Sequence, residues 1–189
     1  MNIGFIKALL LVVMTVVVCA TPSSCPSQDA LVAESQECRI RLLDDGDYFP
    51  FLLDAIDEAT REIAMAFFLF KTNGHKTNYP DRIATHLIGA AERGIEVSVI
   101  LERGRDSRSM VDRNNRDTAK RLEKGKVRVR FDTSGTTTHT KTAVIDRRFV
   151  ILGSHNLTNS ALKYNHELSL FVDSPALAEE VLDYIDGIK

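Results

Sequence analysis

The sequence predicts an α/β fold in which a mixed β-sheet is flanked by helices on both faces of a single sandwich-like domain. Three observations predict it. Residues 63–70 and 95–101 are apolar runs without alternation, as strands buried on both faces require. Between them Ile83, Leu87, Ile88 and Ala91 recur at helical spacing, so strand, helix and strand make a right-handed parallel βαβ unit. Farther along, Thr140, Thr142, Val144 and Ile145 favour one strand and Phe149, Val150, Ile151 and Leu152 another, close enough to pair as a hairpin.

Residues 1–20 read as an export signal, with Lys7 as the positive flank, an apolar run from Ala8, and Val18-Cys19-Ala20 before the cleavage point. A retained membrane anchor and a lipid-modified Cys19 are the alternatives. The expected location is therefore periplasmic or secreted, or membrane-associated through the N-terminus. Residues 21–37, rich in Ser, Pro and small polar residues, read as a linker, and the domain occupies 38–189. Cys25 and Cys38 either pair, as an exported protein permits, or stay as thiols.

Within the domain, 39–43 is a short strand and 44–46 a turn. A helix then starts at Asp47 as cap, with Pro50 tolerated in its first turn. The polar loop 71–79 leads to Pro80, which opens the next helix, and Gly94 closes it. A helix over 107–124 offers Met110, Val111, Ala119 and Leu122 as its apolar face. Val127, Val129 and Phe131 alternate with Arg128 and Arg130 in a half-exposed strand. After the hairpin come a strand over 167–172 and an amphipathic helix over 175–188.

The chain has 189 residues, 44% hydrophobic and 26% charged, with a net charge of −2. That balance excludes a global basic footprint, so any polyanion must be held by local patches. Residues 101–131 hold eleven Arg or Lys against five Asp or Glu. The run is either a solvated helix with salt-bridged faces or a phosphate-tracking wall.

Chemistry concentrates in 139–156, HTKTAVIDRRFVILGSHN. With Arg147-Arg148 as a two-residue turn, Asp146 faces Phe149, Lys141 faces Ser154 and His139 faces Asn156. Opposed residues share a face, so His139, Lys141, Ser154 and Asn156 converge, His155 points away, and Asp146 sits at the turn. Breaking a phosphodiester needs a nucleophile, an acid for the leaving oxygen, and donors on the nonbridging oxygens. His139 offers a neutral ring nitrogen near pH 7. Lys141, Ser154 and Asn156 offer donors to the phosphate. Glu167 is expected to accept from the second ring nitrogen of His139 and fix its tautomer.

His139, Lys141, Asp146, Gly153, Ser154 and Asn156 stand at the spacing His-x-Lys, four residues, Asp, six residues, Gly-Ser-x-Asn, which resembles the signature of the phospholipase D superfamily. The surrounding chain from about Arg39 resembles one such domain. The resemblance implies a metal-independent phosphodiesterase with a phosphohistidine intermediate, with His139, Lys141, Asp146 and Glu167 as candidate catalytic residues. A full site takes two motifs and this chain carries one, so the resemblance also implies a homodimer with one His139 as nucleophile and the other as general acid. No cofactor is implied. The residues agree: His166-Glu167 lacks a second histidine at helical spacing, and no cysteine follows Cys38. The expected substrate is DNA or RNA, with a phosphatidyl lipid or cardiolipin as the alternative. A non-catalytic nucleic-acid-binding dimer is the third reading.

Overall fold

The computed structural model describes residues 38–104, 106, 109–133 and 135–189. The expected leader, the linker and Cys25 lie outside the described residues; Cys38 is exposed. The chain runs β1 (Arg39–Asp44), a 3-10 turn (Asp45–Asp47), α1 (Tyr48–Glu58), β2 (Glu62–Phe67), α2 (Tyr79–Glu92) and β3 (Glu96–Leu101). It continues through α3 (Met110–Lys124), β4 (Arg128–Phe131), β5 (Lys141–Ile145), β6 (Phe149–Gly153), β7 (Leu168–Asp173) and α4 (Pro175–Gly187). The strands form one mixed sheet in the order β1-β7-β6-β5-β2-β3-β4. β2, β3 and β4 are parallel, and the remaining pairs are antiparallel.

Both faces of the central strands are buried, which is why their sequences do not alternate. On one face Met65, Phe67, Val99, Leu101 and Ile151 pack with Leu52 and Ile56 of α1, Ile83 and Leu87 of α2, and Leu122 of α3. On the other, Ala64, Ala66, Ile100, Val144, Val150 and Val172 lie under Ala178, Leu182 and Ile185 of α4. Asp47 occupies the position before α1, but its side chain makes no capping bond. Gly94, at φ +91°, ends α2 as expected.

α3 departs from the expected apolar face. Met110 is exposed, and the buried side adds Asp112, Asn115 and Thr118 to Ala119 and Leu122. Asn115 and Thr118 satisfy backbone that the strands leave unpaired where they end. Asn115 accepts from Phe70 N–H at 2.9 Å and donates to the carbonyls of Phe68 (2.9 Å) and Glu102 (2.8 Å). Thr118 donates to the Phe70 carbonyl at 2.6 Å. The helix is fastened by hydrogen bonds to the segments leaving β2 and β3.

The hairpin register differs by one residue from the expectation. Ile145, not Asp146, pairs with Phe149, and Val144 pairs with Val150. The connection holds three residues, Asp146, Arg147 and Arg148. Asp146 and Arg147 both sit at φ +55°, the hand of turn that matches strand twist, and Arg148 N–H donates to the Ile145 carbonyl at 3.1 Å. Aspartate tolerates that backbone better than most residues, and its side chain fixes it from outside. Asp146 accepts from Thr60 N–H (2.9 Å), Thr60 Oγ1 (2.9 Å), Arg61 N–H (2.8 Å) and Glu62 N–H (3.1 Å), holding the start of β2. Arg148 is extra to the pairing and ties to Asp173 at 2.6 Å.

Candidate active site

The site forms where β5 begins, at the end of the sheet where β2 and β3 finish. Lys141 pairs with Phe67 of β2 and is almost wholly buried. Its Nζ donates to the His139 carbonyl at 2.6 Å and lies 3.2 Å from His139 Nδ1. Burial pushes the Lys141 ammonium below the usual lysine range, and the charge of Glu167 opposes that shift. His139 is exposed, and its ring packs on Phe68 at 4.7 Å between centroids. Lys141 Nζ lies 5.4 Å from the same ring, so Phe68 backs both reacting side chains. The apolar run 63–70 predicts Phe68 inside a buried strand; β2 ends at Phe67, and Phe68 instead packs on His139.

Three sequence expectations change here. Counting from the observed pairs, Gly153 and not Ser154 falls opposite Lys141, and Ser154 is carried to the other face of the sheet. Its hydroxyl donates to Glu167 Oε2 at 2.5 Å and accepts from Leu168 N–H at 3.0 Å, so Ser154 holds Glu167. Glu167 in turn takes Ser154 and Asn165 Nδ2 (3.0 Å), and among the described residues it makes no bond to His139. It acts instead through its charge on Lys141. Asp146, a motif member, stands past the far end of the five-residue β5, about 16 Å from Lys141, and bonds neither His139 nor Lys141.

The backbone bends at Ser154, which ends the strict alternation and sets Asn156 by its own path. Asn156 makes no hydrogen bond, and its Oδ1 is buried without a partner among the described residues. His155 is fully buried, stacked on Tyr48 at 4.2 Å and bonded through Nδ1 to Ser169 Oγ at 2.8 Å. Burial pushes its imidazole below the usual histidine range. Gly153 allows β6 to meet β7 closely: a Cβ there would stand 2.4 Å from the Leu168 carbonyl oxygen. Asp45 pins the neighbouring segment by accepting from Glu167 N–H at 2.8 Å and His166 Nδ1 at 2.9 Å.

Five cations of the basic run 101–131 are committed to the domain's own structure, while Arg103, Arg113, Lys124 and Lys126 have no carboxylate partner among the described residues. Arg116 pairs with Asp112 (2.7 Å), Lys120 with Asp117 (3.1 Å), Arg121 with Asp81 and Arg128 with Glu96. Arg130 donates to the Ile188 and Ile185 carbonyls at the end of α4. Other cations without a carboxylate partner lie nearer Asn156. The bridge between Phe70 and Leu157 brings loop 71–79 beside the segment after Asn156. Lys71, Lys76 and Lys163 on these loops have no carboxylate partner among the described residues, and Tyr164 beside Lys163 is 70% exposed. A cavity of about 610 Å³ is lined by Arg39, Phe51, Ile145, Asp146 and Phe171. It therefore lies at the turn end of the hairpin, away from His139.

An exposed histidine, a buried lysine and an uncommitted amide stand at one end of an α/β sandwich, groups whose chemistry suits phosphoryl transfer. Residues 52–189 match the family model described as "Cardiolipin synthase, PLD-like domain", and the chain belongs to this family, within the phospholipase D superfamily of phosphodiesterases. It is 34% identical over 100 residues to a phospholipase D of Rickettsia prowazekii, covering 53% of this chain and 46% of that protein. It spans about half the length of the curated relatives it matches. Its fold resembles Nuc, a phospholipase D family member from Salmonella typhimurium (TM-score 0.68, 24% identity, 80% of this chain and 94% of that one). It also resembles NucT from Helicobacter pylori (TM-score 0.66, 21% identity, 80% and 96%). Among the described residues no helix is long and apolar enough to cross a membrane.

Proposed function

We propose that this chain is an exported, metal-independent phosphodiesterase acting on nucleic acid, with one active site completed by two copies. The observation that favours nucleic acid is the rim beside Asn156. Unpaired Lys71, Lys76 and Lys163 offer charge for a phosphate track, and exposed Tyr164 offers a flat ring for a base. The same fold and motif suit a phospholipid headgroup, which is the second reading.

In the resting half-site the Lys141 ammonium points at His139 Nδ1, so the neutral ring keeps its proton on Nε2. A phosphate oxygen competes for that ammonium and frees the ring. The unprotonated nitrogen of one His139 then attacks phosphorus, the bond to the leaving oxygen breaks, and the partner copy's protonated histidine gives that oxygen its proton. Water, deprotonated by the same partner histidine, cleaves the phosphohistidine and restores both rings. Asn156 supplies a further contact to phosphate. Its amide is uncommitted among the described residues, and the Nδ2 end is the donor that a phosphate oxygen would take.

A second copy has a surface to meet. Ile40, Leu42, Leu168 and Leu170 share the α4 face of the sheet, beyond the cover of α4, and are 63%, 51%, 53% and 37% exposed. The strip starts one residue from Glu167, at the sheet end that carries His139, and is the surface on which a two-fold related copy would dock.

The test is a paired assay in chelator, with plasmid DNA in one arm and labelled anionic phospholipid vesicles in the other. Cleavage of DNA only, lost with His139→Ala, is the expected result. Removing the charges of Lys71, Lys76 and Lys163 together should reduce the slope of log affinity against log salt by up to about 2–3. Turnover of vesicles alone would transfer the assignment to lipid. Activity abolished by chelator would contradict the mechanism.

A further inference from the structure

We propose that Glu102 and Asp132 form a proton-sharing carboxyl pair that positions His139 through the loop carrying it, an inference that rests on the reading of His139 as the reacting group. β3 and β4 are parallel neighbours, with Leu101 opposite Phe131, so the residue following each strand emerges at the same sheet end. Those residues are Glu102 and Asp132, 5% and 1% exposed.

Their oxygens converge on one donor. Thr138 N–H, one residue before His139, lies 2.6 Å from Glu102 Oε2 and 3.3 Å from Asp132 Oδ2. Gly104 N–H serves Glu102 Oε1 at 3.1 Å, and Arg103 N–H serves Asp132 Oδ1 at 2.8 Å. Three backbone donors therefore face four oxygens. No lysine or arginine forms an ion pair with either carboxyl among the described residues.

The charged groups on the surrounding elements are otherwise placed. Arg103 is exposed, Asp112 of α3 is paired with Arg116, and Arg130 of β4 holds the α4 carbonyls. Lys189 at the chain end accepts from Thr133 N–H through its carbonyl oxygen, and His139 and Lys141 bond each other. No residue from Thr133 to Thr137 carries an ionisable side chain.

Two full negative charges buried around one N–H repel; a single proton between them removes one charge and adds an O–H···O bond. Burial pushes the Glu102 carboxyl up, and the bond to Asp132 adds to it. Burial opposes ionisation of Asp132 too, but its bonds to Glu102, Thr138 and Arg103 N–H hold it below the usual range. The proton thus resides on Glu102. Its loss drives the carboxylates apart, releases Thr138 and frees the loop that presents His139.

The sign follows from the raised Glu102 carboxyl. Its contribution is complete below the unfolded value of about 4.3 and disappears as pH rises through the pair's folded value. Asp132→Asn is the diagnostic variant. Its Oδ1 keeps the Arg103 bond, its amide donates to Glu102, and only the long Thr138 contact is lost.

Calorimetric melting against pH is compared with and without Asp132 in a His139→Ala background, so that Asp146, His155 and the other groups shifted in both proteins cancel. The melting temperature of the protein with Asp132 should fall relative to that of Asp132→Asn as pH rises. Histidine-labelled NMR reads the positioning without substrate: the His139 resonance should report two titrations in the wild type and one in Asp132→Asn. The decline of kcat at high pH should shrink by at least about tenfold in the variant. Equal melting slopes with and without Asp132, or a His139 resonance indifferent to the substitution, would overturn the inference. Two titrations at His139 in a protein that hydrolyses nothing would sustain it and count against the proposed function instead.

Discussion

Replacing His139 with alanine is expected to lower phosphodiester hydrolysis by at least about 10³-fold with little change in melting temperature. The two parts follow from different features of the side chain. In the proposed site its ring supplies both the nucleophile and, from the second copy, the acid, so one substitution removes two roles. Its exposure means that few packing contacts go with it, and the Lys141 bond to the residue 139 carbonyl survives the change. Steady-state kinetics alongside calorimetry checks both parts. A variant that loses activity only by unfolding would show a matching fall in melting temperature.

Asp146→Ala is expected to do the opposite. One carboxylate serves three backbone N–H groups and a hydroxyl where β2 starts, and alanine leaves all four without it. Orphaned donors to a charged acceptor predict a loss of about 2–4 kcal/mol, or roughly 5–15 °C in Tm for a domain of this size. Turnover per folded molecule should change little, because the residue stands a strand's length from His139. The pH dependence gives a second signature. Burial opposes ionisation of Asp146, yet the bonds to Thr60, Arg61 and Glu62 prevail and hold its carboxyl below the usual range. Its contribution is therefore present above about pH 3.9 and lost as pH falls through the lower folded value. Asp146→Asn should flatten that acid limb in a melting-temperature series.

The same aspartate shows where sequence reasoning succeeded and where it stopped. Its placement at a turn, remote from the histidine, was legible from the hairpin pattern. The turn itself was not. Neither Asp146 nor Arg147 is the glycine or asparagine that marks positive φ, and the backbone is stabilised by Thr60, Arg61 and Glu62, more than eighty residues earlier. A one-residue register error then moved Ser154 to the wrong face and assigned it to phosphate, when its hydroxyl belongs to Glu167. The strands and helices were readable because burial on both faces leaves a continuous apolar signal. α3 was misjudged because its buried side answers backbone groups with Asn115 and Thr118 instead of apolar residues. Phe68 and the Glu102–Asp132 pair left no pattern at all. Each is placed by where a strand happens to end, which spacing alone does not mark.

The basic run teaches a related lesson. Charge density in sequence counts cations, whereas a phosphate responds to cations without partners. In the fold, Arg116, Arg121 and Arg128 are neutralised by acids from α3, α2 and β3. Unpaired lysines on two short loops, brought together by the Phe70–Leu157 bridge, are the better candidates for a track.

The central claim is that one catalytic site takes a half from each of two chains. Its most direct test is a heterodimer of one wild-type and one His139→Ala chain, isolated through two different affinity tags and assayed against the wild-type dimer. A shared site predicts activity below about a few per cent of the wild type, because one of its two histidines is always missing. A heterodimer retaining about half of the wild-type activity, as two independent sites require, or an active protein that is monomeric throughout, would contradict it.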